Sequence, residues 1–248
     1  MTTRRVPRCA HYTLYIFHYT LAVCALAFAL CAKASAQTAP SLVIFVDLLP
    51  IVIDAPAPFV DASRALPDAY AQRSRAAAAT GRLLAWFIPA QALKEQLDGK
   101  PVRCRTLQAQ VLREMEPVRY DAKSFTALRD QTLSATTTPQ ITETDSDTIF
   151  SILNLNRLAQ TPNGQKFFAT ATLSENSFTL CVAVATEGAD QMGGRKTETS
   201  ITCVTYLLIK GKILLLTVTA PDLTPAELRN TLRLTREWLT LLRWPANP

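Results

Sequence analysis

The chain has 248 residues, with 26 Lys or Arg against 20 Asp or Glu, a formal net charge of +6 and two histidines. Four of the bases (Arg4, Arg5, Arg8, Lys33), no acid, and both histidines (His11, His18) lie in the first 36 residues, leaving 22 bases against 20 acids, or +2, from Gln37 onward. The basic balance therefore says little about nucleic acid, which is not expected as a partner, and His triads, His proton shuttles and His-ligated zinc or haem are excluded beyond residue 36.

Residues 1–36 read as an export signal: an Arg-rich start, the apolar run LAVCALAFALCA, and Ala34-Ser35-Ala36 as a small-residue cleavage pattern before Gln37. The alternative is a retained anchor, but the apolar core from Leu21 to Ala32 is short for a bilayer of roughly 30 Å. Val23 before Cys24 and Leu30 before Cys31 do not fit a lipidation signal. The expectation is a cleaved signal over 1–36, a single α+β domain over 37–248, no stable transmembrane segment after cleavage, and a periplasmic or secreted location. Such a compartment permits disulfides, and the domain keeps three cysteines, Cys104, Cys181 and Cys203.

In chain order, SLVIFVDLLPIVIDAP reads as strands near 42–47 and 51–55, divided at Pro50. The alanine-rich stretch after Pro67 favours a helix that Gly81 stops. RLLAWFIPA is a buried strand ended by Pro89, and QALKEQLDGK is one or two helical turns closed by Gly99. Residues 101–114 alternate as a strand with Val102, Cys104, Thr106 and Gln108 on one face and Arg103, Arg105 and Leu107 on the other. Asp121 is placed to cap a helix carrying Phe125 and Leu128 on one face. The tract 134–147 reads as a polar loop, IFSILNLNRLA as a helix or a buried strand, and Pro162-Asn163-Gly164 as a turn.

The last third reads most clearly. Two strands flank a turn near Glu175 and Asn176, and two more meet at Lys210-Gly211, suited to a tight hairpin. A final helix carries its entry signals: Thr224 as N-cap, Pro225 at the first position, Glu227 completing a capping box, and Leu223 stapling to Leu228. Leu228, Leu232, Leu234, Trp238, Leu239, Leu241 and Leu242 give it a broad apolar face to lay on a sheet.

If 177–186 and 199–209 pair as a hairpin, the register that keeps both faces consistent has positions summing to 384. Phe178 then faces Tyr206, and Cys181 faces Cys203. Opposed residues have Cα atoms roughly 4.5 to 5.5 Å apart, so a Cys181–Cys203 disulfide is within reach. The alternatives are two reduced core thiols or a redox or metal role; for the last, no C-x-x-C spacing, histidine or helix amino terminus stands nearby. Cys104 reads as a buried small hydrophobe in its strand.

Other constellations carry less. No serine has Lys three residues on. Glu143, Asp145 and Asp147 lack the glycine and terminal Glu of a calcium loop and read as a solvated segment. Gly193-Gly194 beside Arg195 and Lys196 reads as a turn rather than a phosphate cradle. Trp86, Trp238 and Trp244 read as core, and Arg229, Arg233, Arg236 and Arg243 as the solvated face of the final helix. No catalytic, metal or cofactor-binding residue is assigned, and no cofactor is expected.

The segments IDAPAPFVDAS, RLLAWFIPA, YDAKSFTALRD and GKILLLTVTAPD, followed by an amphipathic helix, resemble a group of uncharacterised proteobacterial exported proteins. The order also resembles the PsbP-like α/β/α sandwich, over about residues 50 to 243. The resemblance implies a central antiparallel β-sheet covered by helices on both sides, and an accessory or binding role with no catalytic residues. The leading expectation is a non-enzymatic periplasmic module that binds an envelope protein or a small ligand. The competing ones are a carboxylate-dependent hydrolase, which needs two acids facing each other in a cleft, and a binder with an apolar pocket lined by Trp86 or Trp238.

Overall fold

The computed structural model describes residues 41–136, 138–147, 149, 165–189 and 195–243. The chain forms two units, Met1–Pro40 and Ser41–Pro248, and the described residues all lie in the second. The expected signal, IFSILNLNRLA beyond Ile149, the turn at 162–164, the glycines at 193 and 194, and Trp244 fall outside the described residues.

The elements run β1 (Leu42–Val46), β2 (Leu49–Ile53), β3 (Phe59–Asp61), α1 (Pro67–Ala77), β4 (Gly81–Pro89), α2 (Ala90–Leu97), β5 (Thr106–Leu112) and α3 (Ala122–Thr136). A 3-10 turn (Glu143–Asp145), β6 (Gln165–Ser174), β7 (Ser177–Ala189), β8 (Arg195–Ile209), β9 (Lys212–Ala220) and α4 (Pro225–Leu241) follow. Strands β3 to β9 form one seven-stranded sheet in the order β3-β4-β5-β9-β8-β7-β6, antiparallel throughout, while β1 and β2 make a separate hairpin. Two meanders, β3–β5 and β6–β9, therefore join at the β5–β9 pair. With helices against both faces the protein is α+β, as its sequence pattern implies. No helix among the described residues is long and apolar enough to cross a membrane.

One face is sealed by α4 and the β1–β2 hairpin. Leu228, Leu232, Leu234 and Trp238 of α4 are buried against the sheet, and Ile44, Val46, Ile51 and Ile53 of the hairpin join Phe87, Leu107 and Leu216 in the same core. Each such side chain removed from water contributes about 1.5–3 kcal/mol. The entry of α4 follows its sequence closely: the Thr224 hydroxyl accepts from the Glu227 amide at 3.1 Å, and Leu223 packs against the core cluster that contains Leu228. The reciprocal half of the expected capping box is replaced, because the Glu227 carboxylate takes a hydrogen bond from Arg105 of the β5 approach.

At the amino end, the break expected at Pro50 lies elsewhere. Pro50 pairs with Phe45 inside β2, and the turn is Asp47-Leu48, both at positive φ (46° and 66°), the geometry of a two-residue hairpin. Asp47 is held there by Lys212, a contact that no local pattern encodes. The β8–β9 hairpin turns where expected, with Lys210 at φ 50° and Gly211 at φ 80°.

Among the described residues, helices cover the opposite face at its two ends. Over β4 lie α1 and α2, packed on Leu83, Trp86 and Ile88. Over the far end lies α3, capped by Asp121, whose carboxylate accepts from the Ser124 amide at 2.7 Å. Phe125 of α3 meets Phe178, which stacks on Tyr206 at 4.6 Å between ring centres. Between these two coverings, no element among the described residues lies over the strip formed by β5, β9 and β8.

Candidate functional site

The open strip is polar because alternate residues of β5, β9 and β8 that face away from α4 are mostly hydroxyls and amides. In register across the sheet, Thr106 faces Thr219 and Thr219 faces Thr202, with the Thr202 and Thr219 hydroxyls 3.2 Å apart. One step along, Trp86 faces Gln108 and Gln108 faces Thr217. The strand period of two thus lays two polar rows side by side.

At the β4 edge these rows run into a cavity of ≈ 400 Å³ lined by Arg73, Trp86, Cys104, Thr106, Gln108 and Thr219. Arg73 reaches it from α1, its guanidinium carbon 4.5 Å over the centre of the Trp86 ring, a cation–π contact. The indole is 1% exposed, and its Nε1 has no hydrogen-bond partner. Leaving a buried donor unmade costs roughly 1–3 kcal/mol, so this one stands out. No carboxylate among the described residues lies within ion-pair distance of Arg73. Burial pulls its pKa down, and the Cys104 sulfur beside it opposes that shift.

Arg103, at the rim, is engaged differently. It donates to the Thr199 carbonyl at 2.5 Å and lies 3.7 Å from Glu198 and 3.4 Å from Asp222. Arg103 is thus ion-paired, whereas Arg73 is the lining guanidinium with no carboxylate at ion-pair distance among the described residues. Cys104 is half-buried, and desolvation pushes its thiol up despite the pull of Arg73, so it stays protonated and weakly nucleophilic. The described lining thus presents a guanidinium, an indole, hydroxyls and amides, with its carboxylate Glu198 paired to Arg103.

Cys181 and Cys203 sit on the sealed face, not in the groove. The register deduced from the sequence is the one the sheet adopts: Phe178 opposite Tyr206 and Cys181 opposite Cys203. Both cysteines are fully buried beneath α4, their sulfurs 3.1 Å apart as unbonded thiols. The Cys203 thiol is pushed well up by its hydrogen bond to Cys181 and by burial. Among the described residues, no group of His, Cys, Asp or Glu is arranged to hold a metal.

The remaining sequence candidates disperse. Trp238 and Trp86 both belong to the core, as expected: the Trp238 Nε1 donates to the Asp54 carbonyl at 3.0 Å, and Trp86, 1% exposed, also borders the cavity. The acidic tract and the basic helix face, expected to be solvated separately, meet each other: Asp147 binds Arg229 at 2.9 Å and Glu143 binds Arg236, while Arg243 binds Asp54 just after β2. Asp145 turns inward to the Thr142 amide at 2.8 Å. Their complementarity was present in the sequence as charge sign but not as proximity. Arg73 was missed altogether, since one of two bases in an alanine-rich helix carries no mark of the indole it will cover.

No protein-family model matches the chain, and no curated protein matches it. Among solved structures, the Ran-binding protein Mog1p of Saccharomyces cerevisiae aligns over 78% of this chain and 89% of its own, at 13% identity and a TM-score of 0.38. A mutant of protein Mog1 aligns over 78% of this chain and 90% of its own, with the same identity and score. Likeness of that size carries nothing over to this chain.

Proposed function

We propose that this chain is a non-enzymatic binding module of the periplasm, exported by residues 1–36, that holds a small polar ligand in the groove between α1 and the open strip of the sheet. The observation that carries the reading is the Arg73–Trp86 pair, an uncompensated cation over a buried indole whose N–H has no acceptor, set in a cavity of ≈ 400 Å³. Ligand sites place a few convergent polar groups in a concavity of this size. The acids support binding over hydrolysis: Glu116, Glu198, Asp222 and Glu227 are each paired with an arginine. The groove is lined largely by polar side chains, not by the apolar ones that a pocket built on Trp86 or Trp238 implies.

In the same compartment, Cys181 and Cys203 close as a structural disulfide. The two thiols give up two electrons and two protons to a disulfide-bearing oxidant, which is reduced to a dithiol. Directly opposed, buried sulfurs support that step.

The test is expression of the full chain in a proteobacterial host, release of the periplasm, amino-terminal sequencing and native mass spectrometry. The reading expects a chain beginning near Gln37 with a small-molecule adduct lost on unfolding. A cytoplasmic product, or a turnover activity traced to this domain, overturns it. Co-purification of an envelope protein with no small molecule moves the function from the groove to another surface.

A further inference from the structure

We infer that the ligand is a polar carboxylic acid carrying a single negative charge, its carboxylate held by Arg73 and its hydroxyl or amide groups by the Thr106–Thr219 and Gln108 rows. This rests on the binding reading above and names the chemistry of that same groove.

Charge decides the class. The described lining holds two guanidiniums, Arg73 and Arg103, and one carboxylate, Glu198, which pairs with Arg103, so the lining carries one positive charge, at Arg73. A half-buried, unpaired cation recruits one anion, and a guanidinium fork fits a planar carboxylate through two parallel hydrogen bonds. A phosphate monoester carries close to two charges at neutral pH, and the groove offers no second free cation among its described residues. Cys104 does not compete as the counterion, because its thiol remains protonated.

Geometry adds a second reason. The guanidinium carbon stands 4.5 Å over the ring centre of an indole whose Nε1 has no acceptor, so the unpaired cation and the unmade donor belong to neighbouring side chains of one groove. Beyond the charged end, side chains that both donate and accept suit a body bearing hydroxyls or amides, not an alkyl chain.

The experiment is thermal-shift and calorimetric titration of the periplasmic protein with glucuronate, glucose and glucose 6-phosphate, alongside identification of any small molecule released on unfolding. Arg73→Gln and Thr219→Val are the variants, with Arg75→Gln, exposed on the same helix, as the control for folding. The proposal expects glucuronate, or a released monocarboxylate, to bind. It expects at least a tenfold loss in Arg73→Gln, a smaller loss in Thr219→Val and none in Arg75→Gln.

Glucose binding as well as glucuronate, glucose 6-phosphate binding better, a released neutral or phosphorylated molecule, or undiminished binding by Arg73→Gln each overturns the carboxylate assignment while leaving a ligand-binding groove. No binding by any probe, with nothing released on unfolding, removes the groove reading itself.

Discussion

The ammonium of Lys212 is completely buried and donates to Asp47 at 2.7 Å, joining the first residue of β9 to a hairpin turn 165 positions earlier. It also donates to the carbonyls of Glu116 at 2.7 Å and Val118 at 3.2 Å. One side chain therefore ties the β1–β2 hairpin and the loop after β5 to the central sheet. Its partner carboxyl is held below the usual aspartate range, chiefly by the hydrogen bond from Lys212 and then by its charge.

The pH dependence follows from that direction. A carboxyl depressed in the folded state adds stability above its unfolded pKa, about 3.9, and loses it as pH falls through the folded value. Asp47→Asn should lower the melting temperature at pH 7, with the gap to the parent protein closing as pH drops below about 4. Lys212→Met should cost about 1–3 kcal/mol, because two backbone carbonyls lose their donor. A gap for Asp47→Asn that widens toward low pH contradicts the pairing.

Thiol chemistry separates the three cysteines. Alkylation of the native reduced protein should leave Cys181 and Cys203 unmodified, since both are fully buried and the Cys203 thiol is pushed well up, while half-buried Cys104 reacts slowly. Under denaturing conditions without reductant, periplasmic protein should show one free thiol and reduced protein three, counted on the chain from Gln37. Three free thiols in the periplasmic form refute the disulfide.

Two close contacts set the tolerance of the core. At Gly81 an added Cβ would stand 2.2 Å from the Val111 carbonyl oxygen on the paired strand, a backbone clash. Gly81→Ala should therefore destabilise by about 1–3 kcal/mol, measured by urea unfolding. Trp238→Ala should cost about 3–5 kcal/mol, since it empties the space against Phe87, 6.1 Å away edge-on, and removes the Asp54 contact.

The charged face of α4 should prove nearly silent. Arg229 and Arg236 pair with Asp147 and Glu143 at half-exposed positions, so Arg229→Gln or Arg236→Gln should shift stability by less than about 1 kcal/mol, and less still in high salt. Binding of the parent protein to anionic vesicles through this face would show as sedimentation that the double substitution abolishes. None is expected, because the bases are already paired.

Patterns shorter than a hairpin were legible in the residues alone. The register of β7 against β8 followed from alternation, because a one-residue slip would have turned Phe178, Tyr206 and the cysteines to the wrong faces. The caps at Thr224 and Asp121 and the Lys210-Gly211 turn depend on contacts within four residues, so local sequence specified them. The β1–β2 turn was misplaced at Pro50, since its left-handed pair Asp47-Leu48 is fixed by Lys212. The ion pairs of α4 and the meeting of Arg73, Trp86 and Thr219 likewise needed the fold, because each joins side chains that only strand order brings together. Periodicity and capping act over one turn or one strand pair and can be read from the chain. Charge compensation in a groove is a property of several distant segments, and only their packing decides which cation is left without a partner.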